Sequence, residues 1–112
     1  MHDTVAILGA GAIGELLAGG LLRAGWDRRE LALAARRPER QQEIELRVGV
    51  RTLLDAAEAV RGHRVVVIAV KPADVPSLIT QIRPAIGGDQ VILSLAAGVP
   101  TRVYEDAFGE VA

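Results

Sequence analysis

Asp3-Thr4-Val5-Ala6-Ile7-Leu8-Gly9-Ala10-Gly11-Ala12-Ile13-Gly14 is the stretch on which the rest of the chain depends. Val5 to Leu8 is an apolar run without polar alternation, the pattern of a parallel strand covered on both faces. Gly9-x-Gly11-x-x-Gly14 follows directly, and from Ala12 the spacing of Leu16, Leu17, Leu21 and Leu22 is helical. The stretch therefore reads as buried strand, tight turn and opening helix.

In that context each glycine has a physical task. Gly9 permits the sharp turn, Gly11 removes a Cβ that would obstruct a pyrophosphate, and Gly14 lets the helix approach the strand closely. The N-terminus of the helix adds unpaired N–H groups and the positive end of its dipole. A glycine-rich chain produces this pattern by chance, and the bland reading is an ordinary strand-to-helix turn. The position directly after an apolar strand and at the opening of a helix favours a dinucleotide site.

The chain of 112 residues has the length of one domain, short for a complete dehydrogenase. Half of it is hydrophobic and 24% charged, a globular composition. Thirteen Lys and Arg against 14 Asp and Glu leave a net charge of −1, so no global field draws the chain to nucleic acid or an anionic membrane. An anion site has to be local. The absence of cysteine excludes disulfides and thiolate chemistry and suits a reducing cytoplasm. No stretch has the length of a membrane span, and no leader pattern opens the chain.

Further along, the first helix is expected to run to Arg23-Ala24 and stop at Gly25, followed by the polar connection Trp26 to Glu30. Leu31 to Ala35 is the second strand by position, since alanine alone would leave it ambiguous. A helix opens at Pro38 and continues through Leu46. Val48-Gly49-Val50-Arg51 reads as a short third strand and Leu53 to Val60 as a third helix. Val65 to Val70 is the strongest strand and is expected at the sheet centre, broken by Lys71-Pro72. A helix over Asp74 to Ile86, a fifth strand at Val91 to Leu95 and a last helical piece at Thr101 to Phe108 complete the pattern. Strands alternating with helices give an α/β fold, a Rossmann-like doubly wound parallel sheet of order 3-2-1-4-5 in a single domain over residues 1–112.

Ligands of such sheets bind at the carboxyl ends of the strands, beside the reversal of strand order. That rule selects Gly9 to Gly14, Arg36-Arg37, Lys71-Pro72 and Ala96 to Gly98. A site for NAD wants an acidic residue at the end of the second strand, where this chain has Ala34-Ala35 and then Arg36-Arg37; Glu30 lies before the strand, at the wrong edge. Two guanidiniums suit a 2′-phosphate, so the expected cofactor is NADP(H). The alternative is a solvated arginine pair opening a helix. Lys71 reads equally as a strand-end charge, and Ala96-Ala97-Gly98 either leaves room for a flat ring or is only a tight loop. His2 and His63 have no partner pattern, and no metal site or catalytic triad is apparent.

The loop Gly9 to Glu15, the run Arg36-Arg37-Pro38-Glu39, the segment Ala69-Val70-Lys71-Pro72-Ala73-Asp74 and the segment Ser94-Leu95-Ala96-Ala97-Gly98-Val99-Pro100 together resemble the pyrroline-5-carboxylate reductase family. The resemblance covers nearly the whole chain, and the Val-Lys-Pro and Ser-x-Ala-Ala-Gly-x-Pro segments are more specific than the glycine motif. It implies an NADPH-dependent oxidoreductase that reduces a cyclic imine to proline, the last step of proline biosynthesis. It further implies that Gly9, Gly11, Ala12, Ile13 and Gly14 hold the pyrophosphate, Arg36 the 2′-phosphate, and Ala69, Val70, Lys71 and Pro72 the nicotinamide-side ribose. Ala97 and Gly98 would border the nicotinamide. Arg64 stands where the family commonly has an aspartate.

The family continues into a helical domain that forms the dimer and carries the imine contacts, and this sequence ends at Ala112 before it. The expectation is a domain that binds NADPH, has no catalytic residue of its own, turns over little alone and self-associates through exposed apolar surface. Two other classes remain: another NADP-dependent oxidoreductase, of the deazaflavin-dependent NADP reductase or β-hydroxyacid dehydrogenase type, and a non-catalytic dinucleotide-binding module.

Overall fold

Val5–Leu8 forms β1 and is buried at every residue, as an unalternating apolar run requires. The computed structural model describes residues 3–96 and 98–109. β1 is followed by α1 (Ala12–Arg23), β2 (Leu31–Ala34), α2 (Pro38–Arg47), β3 (Thr52–Leu53) and α3 (Ala56–Val60). Then come β4 (Val65–Ile68), α4 (Val75–Ile82), β5 (Val91–Ser94) and α5 (Thr101–Phe108). The five strands form one sheet of order β3-β2-β1-β4-β5, and every pairing is parallel. The fold is the doubly wound Rossmann-like one. Its radius of gyration, 13.0 Å, is that of one domain of this length.

Alternation within the strands divides the core into two layers. Val5, Ile7, Leu31, Leu33 and Val67 face α1 and α2, where Ala18 and Ile44 meet them. Leu8, Ala34, Val66 and Ile68 face α3, α4 and α5, against Val60, Leu78, Ile82 and Tyr104. Ile68 and Ile82 are fully buried, and each such side chain contributes roughly 1.5–3 kcal/mol through burial. The Tyr104 hydroxyl lies 2.7 Å from Ser94 Oγ, which also accepts from Ala96 N–H. Ser94 thereby ties α5 to the end of β5.

Several elements differ from their sequence reading. Val48 and Gly49 do not enter a strand: their N–H groups donate to the carbonyls of Ile44 and Glu45, and Gly49, at φ +77°, closes α2. The β2 ladder is met later, where Leu33 and Ala35 N–H donate to Arg51 and Leu53 carbonyls. The third helix accordingly starts at Ala56, behind an Asp55 carboxylate that accepts from Ala57 N–H. β1, not β4, is the central strand, and β4 ends at Ile68. The helix expected over 74–86 is α4 flanked by 3-10 turns at Pro72–Asp74 and Arg83–Ala85, because Pro84 cannot donate to a continuing helix. The Trp26 to Glu30 connection contains a 3-10 turn with an Asp27–Glu30 capping box.

Two contacts position the glycine turn. A Cβ at Gly14 would lie 2.1 Å from the Gly9 carbonyl oxygen, so α1 sits against the turn at a distance only glycine allows. Gly9 has φ +114°, and a Cβ there would lie 2.8 Å from the Ala69 carbonyl oxygen. From the other side, Arg40 Nε of α2 donates to the Ala10 carbonyl, and its other nitrogens meet Glu15 at 2.9 Å and Glu43 at 3.1 Å. Arg47 completes the cluster, reaching Glu15 at 3.0 Å and Glu43 at 3.3 Å. The hydrogen bond from Arg47, with that of Arg40 and the charges of both, holds the Glu15 carboxyl below its ordinary pKa against the opposing effect of desolvation.

Gly14→Ala is expected to lower the free energy of urea unfolding by about 1–3 kcal/mol. Gly20→Ala in the same helix, where a Cβ has 3.8 Å to its nearest neighbour, should be neutral or add up to about 1 kcal/mol. Equal effects at the two sites would show that close approach at Gly14 is not the constraint.

A carboxyl with a depressed folded pKa contributes stability that is present above its unfolded value, 4.5 for Glu15, and lost as pH falls through the folded value. Thermal midpoints of wild type and Glu15→Gln should therefore converge as pH is lowered from 7 through 4.5 and below. The gap at neutral pH should be several degrees, the scale of about 1 kcal/mol. A gap unchanged by pH would remove the Glu15 carboxylate from the explanation.

Candidate functional site

The carboxyl ends of β1, β2 and β4 open into a groove of about 650 Å³. Its floor is Leu8 to Gly11 and Ala34-Ala35; Arg36, Arg37 and Arg40 line one side, and Ala69, Val70, Lys71 and Asp74 the other. Leu54 and Ala56, with Ser77, Leu78 and Gln81 of α4, form the remaining wall. The groove lies where the strand order reverses, between the connection leaving β1 toward β2 and the one leaving β4 toward β5.

At the floor, α1 begins without a side-chain cap: Gly11 is its N-cap, and the first helical hydrogen bond runs from Glu15 N–H to the Gly11 carbonyl at 3.0 Å. The N–H groups of Ala12, Ile13 and Gly14 thus have no acceptor within the helix. Gly9 and Gly14 are explained by the fold. Gly11 is not: its φ is −86° and nothing lies within 4 Å of where its Cβ would be. The space the missing Cβ leaves belongs to the groove, as expected where a bulky anion approaches the backbone.

The charge of the groove is local. Arg36, Arg37, Arg40 and Lys71 line it, and the only carboxylate among its described residues is that of Asp74, in a chain whose net charge is −1. The cations are not equivalent. Arg40 is taken up by the Ala10 carbonyl, Glu15 and Glu43. Arg36 pairs with Asp74 at 3.2 Å, both side chains partly in solvent. Arg37 and Lys71 form no ion pair with a described residue. An anion entering the groove meets two uncommitted cations, one whose partner is exchangeable, and the open helix terminus.

Of the residues singled out from the sequence, Gly9, Gly11, Arg36, Arg37, Ala69, Val70 and Lys71 line this groove. Ala12 and Ile13 stand exposed at the rim of α1, and Gly14 is buried behind the turn. Pro72 opens the 3-10 turn that carries Asp74. Gly98, at φ +77°, lies in an exposed turn outside the groove lining, and Ala97 lies outside the described residues. His63 is half-buried in a turn away from the groove, its Nδ1 3.2 Å from the Arg61 carbonyl oxygen.

Arg40 and Asp74 were not anticipated as site residues. The strand-end rule that selected Lys71-Pro72 would have reached Asp74 by following the loop to the start of α4. No local signal marks Arg40, because its partners come from α1 and the glycine turn. Among the described residues no cluster of histidine and carboxylates is arranged for a metal, and no helix is long and apolar enough to cross a membrane.

Residues 4–98 match the family model described as NADP oxidoreductase coenzyme F420-dependent. Pyrroline-5-carboxylate reductase of Mycobacterium tuberculosis is 37% identical over 107 residues, covering 90% of this chain and 36% of that protein. Among solved structures, a pyrroline-5-carboxylate reductase from Coxiella burnetii superposes with a TM-score of 0.90 at 24% identity, over 96% of this chain and 40% of that one. The Plasmodium falciparum pyrroline carboxylate reductase, solved with NADP bound, gives 0.80 at 20% identity over 96% of this chain and 38% of its own. The chain thus spans little more than a third of the length of the Mycobacterium relative. With the motif, the sheet order and the family match over most of its length in agreement, this chain belongs to the family of NADP oxidoreductases described as coenzyme F420-dependent.

Proposed function

We propose that this chain is the NADPH-binding domain, over residues 1–112, of a pyrroline-5-carboxylate reductase-like oxidoreductase. The observation that carries the reading is the cationic groove at an uncapped helix terminus, with arginines and no carboxylate at the end of β2. Gly9 and Gly11 and the N–H groups of Ala12, Ile13 and Gly14 take the pyrophosphate. Arg36 and Arg37 take the 2′-phosphate through charge-assisted bonds. Ala69, Val70, Lys71 and Pro72 border the nicotinamide-side ribose, and Ala97 and Gly98 the nicotinamide. When bound there, NADPH would supply the hydride for the imine carbon, and the residues of this chain bind and orient the nucleotide.

A substrate wall lies beyond these residues in this reading, as does the step of proline formation. Exposed Ile13 and Leu16 on α1 and Leu93 and Leu95 at the β5 edge support an apolar face covered in a homo-oligomer. A cytoplasmic setting agrees with a chain that has no cysteine. The family description favours one specific second reading, transfer between NADP and a deazaflavin.

Calorimetric titration of the chain should show NADPH binding tighter than NADH, with Arg36→Ala weakening NADPH about ten- to a hundredfold and leaving NADH nearly unchanged. Binding of neither nucleotide would sink the reading.

The chain alone should consume NADPH with pyrroline-5-carboxylate slowly or not at all. Joined to the portion of the Mycobacterium tuberculosis reductase beyond the matched segment, it should reduce the imine and not coenzyme F420. The reverse preference would select the deazaflavin reading.

A further inference from the structure

Asp74 directly precedes α4 with helical backbone angles, φ −93° and ψ −6°. The N2 position of α4 is Pro76, which has no N–H, and the Asp74 side chain makes no cap hydrogen bond. Its carboxylate instead meets Arg36 Nη2 at 3.2 Å. The backbone beneath is held by the 3-10 turn Pro72–Asp74, in which Asp74 N–H donates to the Lys71 carbonyl at 2.9 Å.

The two residues stand on opposite sides of the groove. Arg36 follows β2 and Asp74 is on the connection after β4, with β1 between those strands. Strand spacing sets the two strand ends roughly 10 Å apart, so the ion pair bridges the groove from side to side. A guanidinium held in this way already has an anion. A 2′-phosphate has to displace that anion.

We infer that Asp74 is an internal competitor for the 2′-phosphate: it pairs with Arg36 and weakens NADPH binding relative to NADH. The inference rests on the NADP reading of the groove. A nucleotide with a free 2′-hydroxyl brings no charge to exchange for the carboxylate, so its affinity does not depend on freeing Arg36. The pair is partly solvent-exposed, which limits the competition to a few-fold.

The test is a calorimetric titration of NADPH and of NADH into the wild-type chain, Asp74→Asn, Asp74→Ser, Arg36→Ala and the Arg36→Ala/Asp74→Asn double variant. Both single substitutions at Asp74 should tighten NADPH about two- to fivefold and leave NADH within twofold. In the Arg36→Ala background the Asp74→Asn effect should vanish, which a general effect on the turn would not produce. Unchanged or weakened NADPH binding in the Asp74 variants overturns the inference, because Asp74 would then be inert or would be holding Arg36 in place for the phosphate. Persistence of the gain without Arg36 overturns it as well. Those results leave the NADP reading standing, whereas a wild-type chain that binds neither nucleotide removes the reading and the inference together.

Discussion

The contact on which the structure turns is the approach of α1 to the end of β1. A Cβ on Gly14 would fall 2.1 Å from the Gly9 carbonyl oxygen, so the helix starts closer to the strand than any other residue permits. That distance places the helix terminus, with N–H groups lacking a helical acceptor, on the floor of the groove. The same approach lets α1 cover the β1 face through Ala18, which is fully buried. Packing and binding geometry are here one constraint.

Around that floor the electrostatics are divided by partner more than by residue type. Arg40 and Arg47 share Glu15 and Glu43 across the α1–α2 contact, and Arg40 also holds the Ala10 carbonyl. These arginines stabilise the turn and are committed to it. Arg37 and Lys71 leave their charge to the groove, and Arg36 is shared between the groove and Asp74. A net charge of −1 therefore says nothing of the local potential, which is set by which cations are already neutralised.

The family match joins the fold to a cofactor class, and two features of the groove agree with it: arginines, not a carboxylate, directly follow Ala35, and Gly11 leaves space that no described residue fills. Chemistry beyond nucleotide binding is a separate matter, because a dinucleotide fold is shared by many reactions and the substrate is chosen by what faces the nicotinamide. The Mycobacterium relative is nearly three times as long as the segment it shares with this chain. The substrate assignment accordingly comes from resemblance in the Lys71-Pro72 and Ser94 to Pro100 segments, of which Ser94 serves the fold by binding Tyr104.

What the sequence determined by itself was what short-range pattern and chain topology can carry. Unalternating apolar runs marked β1, β4 and β5, the alternation of units placed β2, and right-handed crossovers left the order 3-2-1-4-5 as the natural one. The glycine spacing after β1 and the arginines after β2 were legible because strand ends are where such a fold places its ligands. Tertiary structure decided the rest. Val48-Gly49-Val50 has the composition of a strand, yet helix closure by Gly49 and the register of Leu33 and Ala35 with Arg51 and Leu53 move β3 onward. The partners of Arg40 and Arg36 lie on other elements, and an ion pair across a groove exists only once both walls are in place. Local propensity reads a residue's neighbours in the chain, whereas charge compensation depends on neighbours in space.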